Sequence, residues 1–263
     1  MGGPEPPLSV VTFNLRHGWA EDGRHAWPRR QRAVSWLLAR HPADVVCLQE
    51  VNLFQMPFIE AALPGHRLLG DREPRGERWE HRPIMVVRDW TAEEVETFSL
   101  SATPGRVSRF RGSRWPRQCT RVLLRRAGRA LAVYNTHLDF DPEVQVKQAE
   151  VIWRRIIRRD AGRSVVLAGD FNAPPGSPAH RFLTGDGEFN GRRGDFVDAA
   201  GHPPEATYHG FTGRPSGGAI DWILHRGGLI PTGPARTLRH RPGGLWPSDH
   251  FPLRAEFRLP RKG

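Results

Sequence analysis

Short apolar runs recur along the chain, and most of them end at a polar or charged residue. Runs of this kind, bounded by glycine, proline or charge, are typical of buried β-strands. The pattern predicts strands over residues 8–15, 44–50, 84–87, 119–125, 130–135, 165–168, 219–225 and 252–259, and residues 229–239 are a further candidate.

Apolar stripes at helical spacing separate several of these strands. Helices are predicted from Pro28 to about residue 41, over residues 52–63, and from Pro142 onward, with Asp141 as its N-cap. Residues 70–83 and most of 176–218 lack such a period and are expected to be loops with short elements. Alternating strands and helices indicate an α/β fold. No repeat or linker divides the chain, so we expect one domain over residues 1–263, with residues 1–7 as a disordered tail.

The stretch from Ser164 to Pro175 places two polar side chains at the end of a buried strand. Gly169 ends the apolar run, and Asp170 and Asn172 follow it. On an extended chain these two side chains point to the same side. The carboxylate can then accept a proton from water while the amide orients that water. A capped turn, in which both side chains bond their own backbone, explains the same residues equally well.

Polar side chains also lie at or beside the ends of several other predicted strands. They are Asn14, Glu50, His137, Asp221, Asp249 and His250. Each alone is explained as a solvated strand end or a semi-buried histidine. Strand ends in α/β folds converge on one edge, where binding sites form, so we expect all of these residues to lie near Asp170 and Asn172.

The chain is strongly basic, with a formal net charge of +11. All but two of its 39 Lys and Arg residues are arginine, which a GC-rich genome explains, but the excess of bases over acids favours anionic partners. Residues 101–118 contain no acid and interleave Phe110 and Trp115 with arginines. This segment is either a solvated loop or a rim that binds phosphate. Its arginines are Arg106, Arg109, Arg111, Arg114 and Arg117.

Sequence features also bear on the cellular compartment and the oligomeric state of the protein. No apolar run approaches the length of a membrane span, and the first residues lack the pattern of a signal peptide. The spacing of Cys47 and Cys119 is not that of a metal site, and a single disulfide bond between them is the remaining alternative. We therefore expect a cytoplasmic monomer with no membrane partner.

Six motifs resemble those of the endonuclease/exonuclease/phosphatase superfamily, which includes deoxyribonuclease I, abasic-site endonucleases, sphingomyelinases and inositol-polyphosphate phosphatases. They occur in the family's order and span residues 12 to 252. The resemblance implies a four-layer α/β sandwich like that of deoxyribonuclease I: two facing mixed β-sheets, flanked by helices, with the site at one edge. The motifs are Thr12-Phe13-Asn14-Leu15-Arg16, Leu48-Gln49-Glu50, Asn135-Thr136-His137-Leu138-Asp139, Gly169-Asp170-Phe171-Asn172, Ile220-Asp221-Trp222-Ile223 and Pro247-Ser248-Asp249-His250-Phe251-Pro252.

Further motifs are similar to those of small single-domain bacterial members of the family. There are also departures. Arg121 stands where an aromatic residue is expected, Phe140 stands where a polar residue is usual, and Asn14 is not followed by the acidic residue of abasic-site endonucleases. The further motifs are Asp22-Gly23 with Trp27 and Arg30, Thr103-Pro104, Pro116-Arg117 with Thr120, and His209-Gly210-Phe211.

The resemblance also implies roles for individual residues. Glu50 is expected to be the principal ligand of Mg²⁺ or Mn²⁺, helped by Asn14 and Asp249. Asp170, oriented with Asn172, is expected to activate water. His250, paired with Asp221, is expected to stabilise charge in the transition state. The remaining residues with implied roles are His137, which bonds a phosphate oxygen, and Arg117, Trp27 and Arg30, which bind substrate.

These residues together indicate a divalent-metal-dependent phosphoesterase. Among substrates, phosphodiesters are favoured by the charge and by residues 101–118, and in particular nucleic acid such as DNA. The alternative is a phosphatase or phosphodiesterase acting on a small molecule such as a sugar phosphate, in a site narrowed by the loop that carries Trp27. A non-catalytic nucleic-acid-binding module is the least favoured hypothesis, because the motifs are complete.

Overall fold

The structure is a computed structural model that describes residues 6–260. The tail expected over residues 1–7 falls mostly on residues 1–5, which lie outside the described part. The helices are α1 (Trp27–Arg40), α2 (Met56–Ala62), α3 (Pro142–Asp160) and α4 (Pro178–Thr184). The strands are β1 (Leu8–Asn14), β2 (Val45–Gln49), β3 (His66–Leu69), β4 (Ile84–Val87), β5 (Thr91–Ser99), β6 (Gln118–Arg126), β7 (Arg129–His137), β8 (Ser164–Asp170), β9 (Val197–Asp198), β10 (Asp221–Arg226), β11 (Ile230–Pro231), β12 (Arg236–Thr237) and β13 (Leu253–Arg258).

The strands form two mixed sheets. The first has the order β11-β13-β1-β2-β4-β3, with β12 also paired to β13, and the second has the order β5-β6-β7-β8-β10-β9. Each sheet contains one parallel pair at its centre, β1 with β2 and β7 with β8, and its other pairs are antiparallel. Parallel neighbours bring their carboxyl ends to the same edge. Asn14, Glu50, His137 and Asp170 are therefore delivered to one end of the sandwich.

Alternation along the strands divides the apolar side chains among separate layers. Val10 and Val45 face the second sheet, while their neighbours Val11 and Val46 face α1 and α2. The second sheet behaves in the same way, since its outward side chains pack under α3 and α4. Helix, sheet, sheet and helix thus form four layers, which confirms the predicted fold class.

Buried amides connect the two sheets just inside the carboxyl ends of their strands. Gln49 donates from Nε2 to Oδ1 of Asn135 at 2.7 Å, and Asn135 donates from Nδ2 to the carbonyls of Leu48 and Pro83. These groups are buried, and the bonds between them fix the relative position of the sheets beneath the site.

Most of the predicted elements are confirmed, including the start of α3. Asp141 Oδ1 accepts hydrogen bonds from the backbone N–H groups of Glu143 and Val144, as expected of an N-cap. Some elements were predicted wrongly. Residues 229–239 contain only the two-residue strands β11 and β12 instead of one longer strand, and β3 and β5 were not predicted. β5 is a largely exposed edge strand, so its polar residues carry no hydrophobic alternation.

Candidate active site

Three functional side chains lie next to one another on the second sheet. His137 is the register partner of Asp170 across β7 and β8, and Asp221 is the partner of Asp170 across β10 and β8. All three are buried, with exposures of 2% or less. Adjacent strands of a sheet are about 4.8 Å apart. The sheet therefore holds an imidazole and two carboxylates in a row at its end.

Gly169 permits this close packing. A Cβ atom at this position would lie 2.1 Å from the carbonyl oxygen of Thr136 on the neighbouring strand. No other residue fits without moving the backbone of β7 or β8. The glycine that ends the apolar run in the sequence is thus needed to place Asp170 beside His137.

The first sheet contributes Asn14 and Glu50 from the opposite side. The Asn14 side-chain amide donates from Nδ2 to Glu50 Oε1 and to Asp170 Oδ2, each at 2.9 Å. The other Glu50 oxygen accepts the backbone N–H of His17 at 3.0 Å. Burial opposes ionisation of Glu50, but the bonds from Asn14 and His17 outweigh it and lower the pKa of Glu50. Asn14 therefore joins the two sheets through a pair of carboxylates.

His250 lies between two carboxylates. Its Nδ1 is 2.8 Å from Asp221 Oδ2, and its Nε2 is 3.8 Å from Asp170 Oδ2. Burial lowers the pKa of this imidazole, but the charges of Asp221 and Asp170 outweigh burial and raise the pKa to about 10. The ring is thus a buried cation aimed at Asp170.

Asp170 is a buried carboxyl whose pKa is raised. Burial and the charge of Asp221 raise the pKa of Asp170 to about 7. His137 approaches from the other side, with Nε2 3.5 Å from Asp170 Oδ2. Burial and the cations of Arg117 and Arg82 hold the pKa of His137 well below its ordinary value, so this imidazole is neutral. The site therefore pairs a basic carboxylate with one charged and one neutral histidine.

Asn172 supports Asp170 through its backbone. Its N–H donates to Asp170 Oδ1 at 2.9 Å, while its side-chain Nδ2 donates to the carbonyl of Leu138. Asn172 has a φ of 50°, so the chain is not extended here and the expected parallel orientation of the two side chains does not apply. The turn that the sequence left open as an alternative is present, and it fixes the carboxylate of Asp170.

Backbone strain is concentrated in this region. Glu50, Asn172 and Arg16 all have left-handed φ values, of 57°, 50° and 59°. Such conformations cost of order 1 kcal/mol each for residues with a side chain. They persist because each residue is held by hydrogen bonds to the site, and they point the side chains of Glu50 and Asn172 out of the regular strand direction.

Two residues near Glu50 were missed by the sequence reasoning. Ligand atoms of His17, Glu50 and Glu80 all lie within 4.8 Å of one another. Burial and the charge of Glu50 raise the pKa of Glu80, and burial lowers that of His17. Glu80 lies in the aperiodic loop over residues 70–83, so no strand end located it. His17 lies directly after a motif in which only Asn14 was given a role.

The grouping fits a hard divalent cation. Besides the group around Glu80, ligand atoms of Glu50, His137 and Asp170 lie within 4.8 Å of one another. Carboxylate oxygens of this kind are the preferred ligands of Mg²⁺ and Mn²⁺. A cation would also relieve the repulsion between Glu50 and Glu80. The described residues thus include groups that can hold a divalent metal ion.

Asp249 is placed differently from Glu50. Its Oδ2 lies 3.7 Å from Nε of Arg16, and its Oδ1 accepts a bond from Ser248 Oγ. Arg16 in turn is bound through two nitrogens by Asp22. The structure therefore pairs the predicted metal ligand Asp249 with a cation at the edge of the site.

Arg117 lies at the other edge, under two exposed aromatic rings. Its guanidinium carbon is 5.4 Å from the centre of Trp115 and 5.8 Å from that of Phe140, and its Nη1 is 3.6 Å from Glu80 Oε2. Trp115 and Phe140 are 44% and 54% exposed, whereas Arg117 is 3% exposed. Phe140 stands where the family pattern has a polar residue. Together with Trp115 it forms an aromatic rim beside the site.

Trp27 and Arg30 are buried away from any substrate. The helix begins at Trp27, within the loop that was expected to narrow the site, and turns both side chains inward. Arg30 is 0% exposed and donates from Nη1 to the carbonyls of Leu15 and Pro247. Arg30 thus braces the backbone near Asn14 and Asp249, and Trp27 packs in the core between α1 and the first sheet. Neither offers a surface for binding substrate.

Comparisons with known proteins agree with this geometry. The model of the endonuclease/exonuclease/phosphatase family matches residues 11–250. The chain is also similar to the structure of an endonuclease/exonuclease/phosphatase from Bacteroides vulgatus, with 25% identity, a TM-score of 0.83, and coverage of 97% of this chain and 100% of that one. No curated protein matches the sequence.

Two further structures share the fold at lower identity. The mannosyl-6-phosphatase Bt3783 of Bacteroides thetaiotaomicron is 22% identical with a TM-score of 0.83, over 96% of this chain and 100% of that one. A humanized TDP2 from D. rerio is 18% identical with a TM-score of 0.75, over 96% and 99%. None of the helices in residues 6–260 has the length and apolar character needed to cross a membrane. The chain belongs to the endonuclease/exonuclease/phosphatase family and is a hydrolase that acts on phosphate esters.

Proposed function

We propose that this protein is a divalent-metal-dependent phosphodiesterase whose favoured substrate class is nucleic acid. The observation that carries the proposal is the convergence of Asp170, His250 and Asp221 with Glu50, joined across the two sheets by Asn14. A binding module has no need for a buried carboxylate whose pKa is raised to about 7 beside a charged imidazole.

Mg²⁺ or Mn²⁺ is the proposed cofactor, with Glu50 as its principal ligand and Glu80 close enough to share it. When bound, the ion supplies positive charge that offsets the charge on the phosphoryl and leaving oxygens. Asn14 and Asp249 are proposed to assist through water. In the structure Asn14 presents its amide nitrogen to Glu50 and Asp170, and so it fixes the spacing of the two carboxylates.

The chain's own residues account for proton transfer. Asp170 accepts hydrogen bonds from Asn14 and from the backbone of Asn172, and these fix the orientation of its carboxylate. We assign it the general base, since a pKa near 7 suits a base that works at neutral pH. His250, held by Asp221, is assigned the cation that stabilises the developing negative charge on the phosphoryl oxygens.

His137 is proposed to complete the oxyanion site. Because its ring is neutral, it can donate one hydrogen bond to a phosphate oxygen. A neutral ring also forms no ion pair with Asp170, whose negative charge then interacts with His250. Arg117 is the proposed clamp for the substrate phosphate. It lies against Glu80, and the arginine is nearly buried, so substrate phosphate would meet only its exposed edge.

The aromatic rim supports a diester that bears a ring beyond the reacting phosphate. Trp115 and Phe140 meet edge to face with ring centres 6.1 Å apart, and both are about half exposed. Exposed aromatic faces next to arginines are the usual platforms for stacked bases. The net charge of +11 agrees with an anionic polymer as substrate.

A small sugar phosphate is the second candidate. It is favoured by the similarity to a solved mannosyl-6-phosphatase, which covers nearly the whole of both chains. Aromatic rings also stack on sugar faces, so Trp115 and Phe140 are compatible with this substrate. The chemistry of Asp170 and His250 is the same in either case.

A substrate panel tests the choice. Turnover is measured for a nitrophenyl phosphodiester, a nitrophenyl phosphomonoester, mannose 6-phosphate and single-stranded DNA, with Mg²⁺ and with Mn²⁺. The proposal predicts that the diester exceeds the monoester and that DNA is cleaved. Trp115→Ala should weaken DNA binding about tenfold or more, whereas Trp36→Ala, at a similarly exposed tryptophan on α1, should not. Rapid hydrolysis of mannose 6-phosphate with no DNA cleavage would establish the second candidate.

A further inference from the structure

A basic cleft lies outside the active site, between α3 and the segment from Ser101 to Phe110. Its volume is about 340 Å³. Three arginines of α3 line one wall, and Ser101, Pro104 and Phe110 line the other. A cleft of this size accommodates a nucleotide-sized group. We call it the α3 cleft, and its arginines are Arg154, Arg155 and Arg158.

The positive charge of the α3 cleft is largely uncompensated. Its one lining carboxylate, Glu150, already accepts bonds from Arg192 and Asn190. Arg155 is 3.2 Å from Glu96, but no acid among residues 6–260 forms an ion pair with Arg154 or Arg158. Both of these arginines are exposed. Guanidinium groups that have no acidic partner attract anions, and one guanidinium can donate two parallel hydrogen bonds to a phosphate.

The opposite wall is an ordered loop. Ser101 Oγ and Ser108 Oγ are 2.6 Å apart, and the Ser99 N–H donates to the carbonyl of Pro104. Arg109 donates from Nη1 to the carbonyls of Ser113 and Arg114, so its charge is positioned by backbone oxygens and is not neutralised by an acid. The loop thus presents the ring of Phe110 to the cleft, and Arg109 adds a fixed positive charge elsewhere on the same loop.

The same loop connects the α3 cleft to the active site. Ser113 Oγ and the Arg114 N–H both bond Asp139 Oδ2, and the rim residue Trp115 follows directly. At the first turn of α3, Gln145 donates to the carbonyls of Asp139 and Asn172. The helix therefore starts at the site, and Arg154 and Arg158 lie about 18–24 Å further along its axis.

We propose that the α3 cleft is an exosite that binds backbone phosphates of a nucleic-acid strand whose scissile bond lies in the active site. The inference rests on the proposed function, because it concerns the part of the nucleic-acid substrate that lies away from the scissile bond. At about 3.4 Å per nucleotide, a strand leaving the site reaches Arg158 after about seven nucleotides. Phe110 offers the strand a ring for stacking. Free mononucleotides carry the same phosphate groups, so the dependence of affinity on the length of the bound strand distinguishes a mononucleotide ligand from a polymer.

The test compares Arg154→Ala/Arg158→Ala with a matched control, Arg32→Ala/Arg40→Ala, which removes two exposed arginines of α1 on the other outer layer. Alanine favours helix, so all four changes preserve α1 and α3. Arg155 is left intact because it packs on Phe98. Affinity is measured by fluorescence anisotropy in chelator, where no hydrolysis occurs, for single-stranded DNA of four and sixteen nucleotides over a salt series.

The exosite predicts that the α3 double variant binds the sixteen-nucleotide strand about tenfold more weakly, with the log–log salt slope reduced in magnitude by about 1.4. Binding of the four-nucleotide strand, turnover of the nitrophenyl diester and all properties of the control should stay unchanged. Equal losses for both strand lengths, or the same loss in the control, would overturn the inference. The inference would also be overturned if a mononucleotide bound the wild-type protein as tightly as the long strand does and bound the α3 variant more weakly.

This design separates the inference from the proposed function. Length-dependent binding that requires Arg154 and Arg158, in a protein that cleaves no nucleic acid with any metal, would contradict the nuclease proposal and support the exosite. Cleavage of DNA with unchanged long-strand affinity in the α3 variant would support the nuclease and overturn the exosite.

Discussion

Nδ1 of His250 lies 2.8 Å from Oδ2 of Asp221, and this bond aligns the imidazole with the carboxylate of Asp170. The two partners come from distant motifs and meet only through the fold. The bond fixes which ring nitrogen faces the reacting phosphate. It also keeps a positive charge buried, which would otherwise cost free energy.

Because Asp221 acts through His250, their substitutions should be strongly non-additive. His250→Ala is expected to lower kcat by roughly a hundredfold or more, and Asp221→Asn by a smaller factor. The double variant should be little worse than His250→Ala alone, as for residues that act as a unit. Turnover of a nitrophenyl diester in the four-member cycle measures this, and strictly additive losses would show that the two residues act independently.

Gly169 gives a test of the close contact between β8 and β7. Gly169→Ala must displace the backbone, since the new Cβ would meet Thr136 O at 2.1 Å. A shift of about 1 Å at Asp170 is expected to lower kcat by about a hundredfold, together with a lowered thermal midpoint. Gly162→Ala is the control, because no atom lies within 4 Å of its Cβ position. Wild-type activity in Gly169→Ala would show that the geometry of Asp170 tolerates this shift.

The sequence predicted more of this site than of its surroundings. Asp170 and His137 were found because each ends a buried apolar strand, and Asp221 because it lies near the start of another. The antiparallel pairing of β10 with β8 brings the start of β10 to the same edge. Glu80 lies in a loop whose position depends on tertiary contacts, so no local pattern identified it. Trp27 and Arg30 were expected to bind substrate, but the packing of α1 on the first sheet buries both side chains, and no local pattern in the sequence identifies this tertiary contact.

The departure at Arg121 has a structural explanation. Its guanidinium donates from Nε and Nη2 to Asp160, at 2.7 Å each, and the Tyr134 hydroxyl donates to the same carboxylate at 2.6 Å. Both charged side chains are about 1% exposed. An ion pair under α3 thus occupies the place where the family pattern has an aromatic ring.

Removing one partner of this pair should be costly. Asp160→Asn is expected to destabilise the protein by about 3 kcal/mol at pH 7, because Arg121 is left buried with only Glu94 as a charged partner. Burial opposes ionisation of Asp160, but the bonds from Arg121 and Tyr134 lower its pKa below the ordinary 3.8. The stabilisation is therefore fully present above that value and is lost as the pH falls through the lowered pKa.

Denaturant unfolding between pH 3 and pH 7 measures this effect. The gap in unfolding free energy between wild type and Asp160→Asn should be constant from pH 7 to about pH 5 and should narrow below about pH 4. Glu93→Gln is the control, because Glu93 forms an exposed pair with Arg125, and it should leave stability unchanged. A gap that stays constant down to pH 3 would mean that the ion pair with Arg121 does not lower the pKa of Asp160.

Phosphate-ester hydrolysis by this protein is proposed to depend on a metal ion held at Glu50. Its most direct test is the rate of nitrophenyl phosphodiester hydrolysis against Mg²⁺ and Mn²⁺ concentration, for wild type and Glu50→Gln. The variant keeps the size of the side chain at a strained position with φ of 57°. We predict no wild-type turnover in chelator, restoration by either ion, and at least a hundredfold loss with weaker metal dependence in Glu50→Gln. Full activity in chelator, or an unchanged metal titration in a folded variant, would contradict the account.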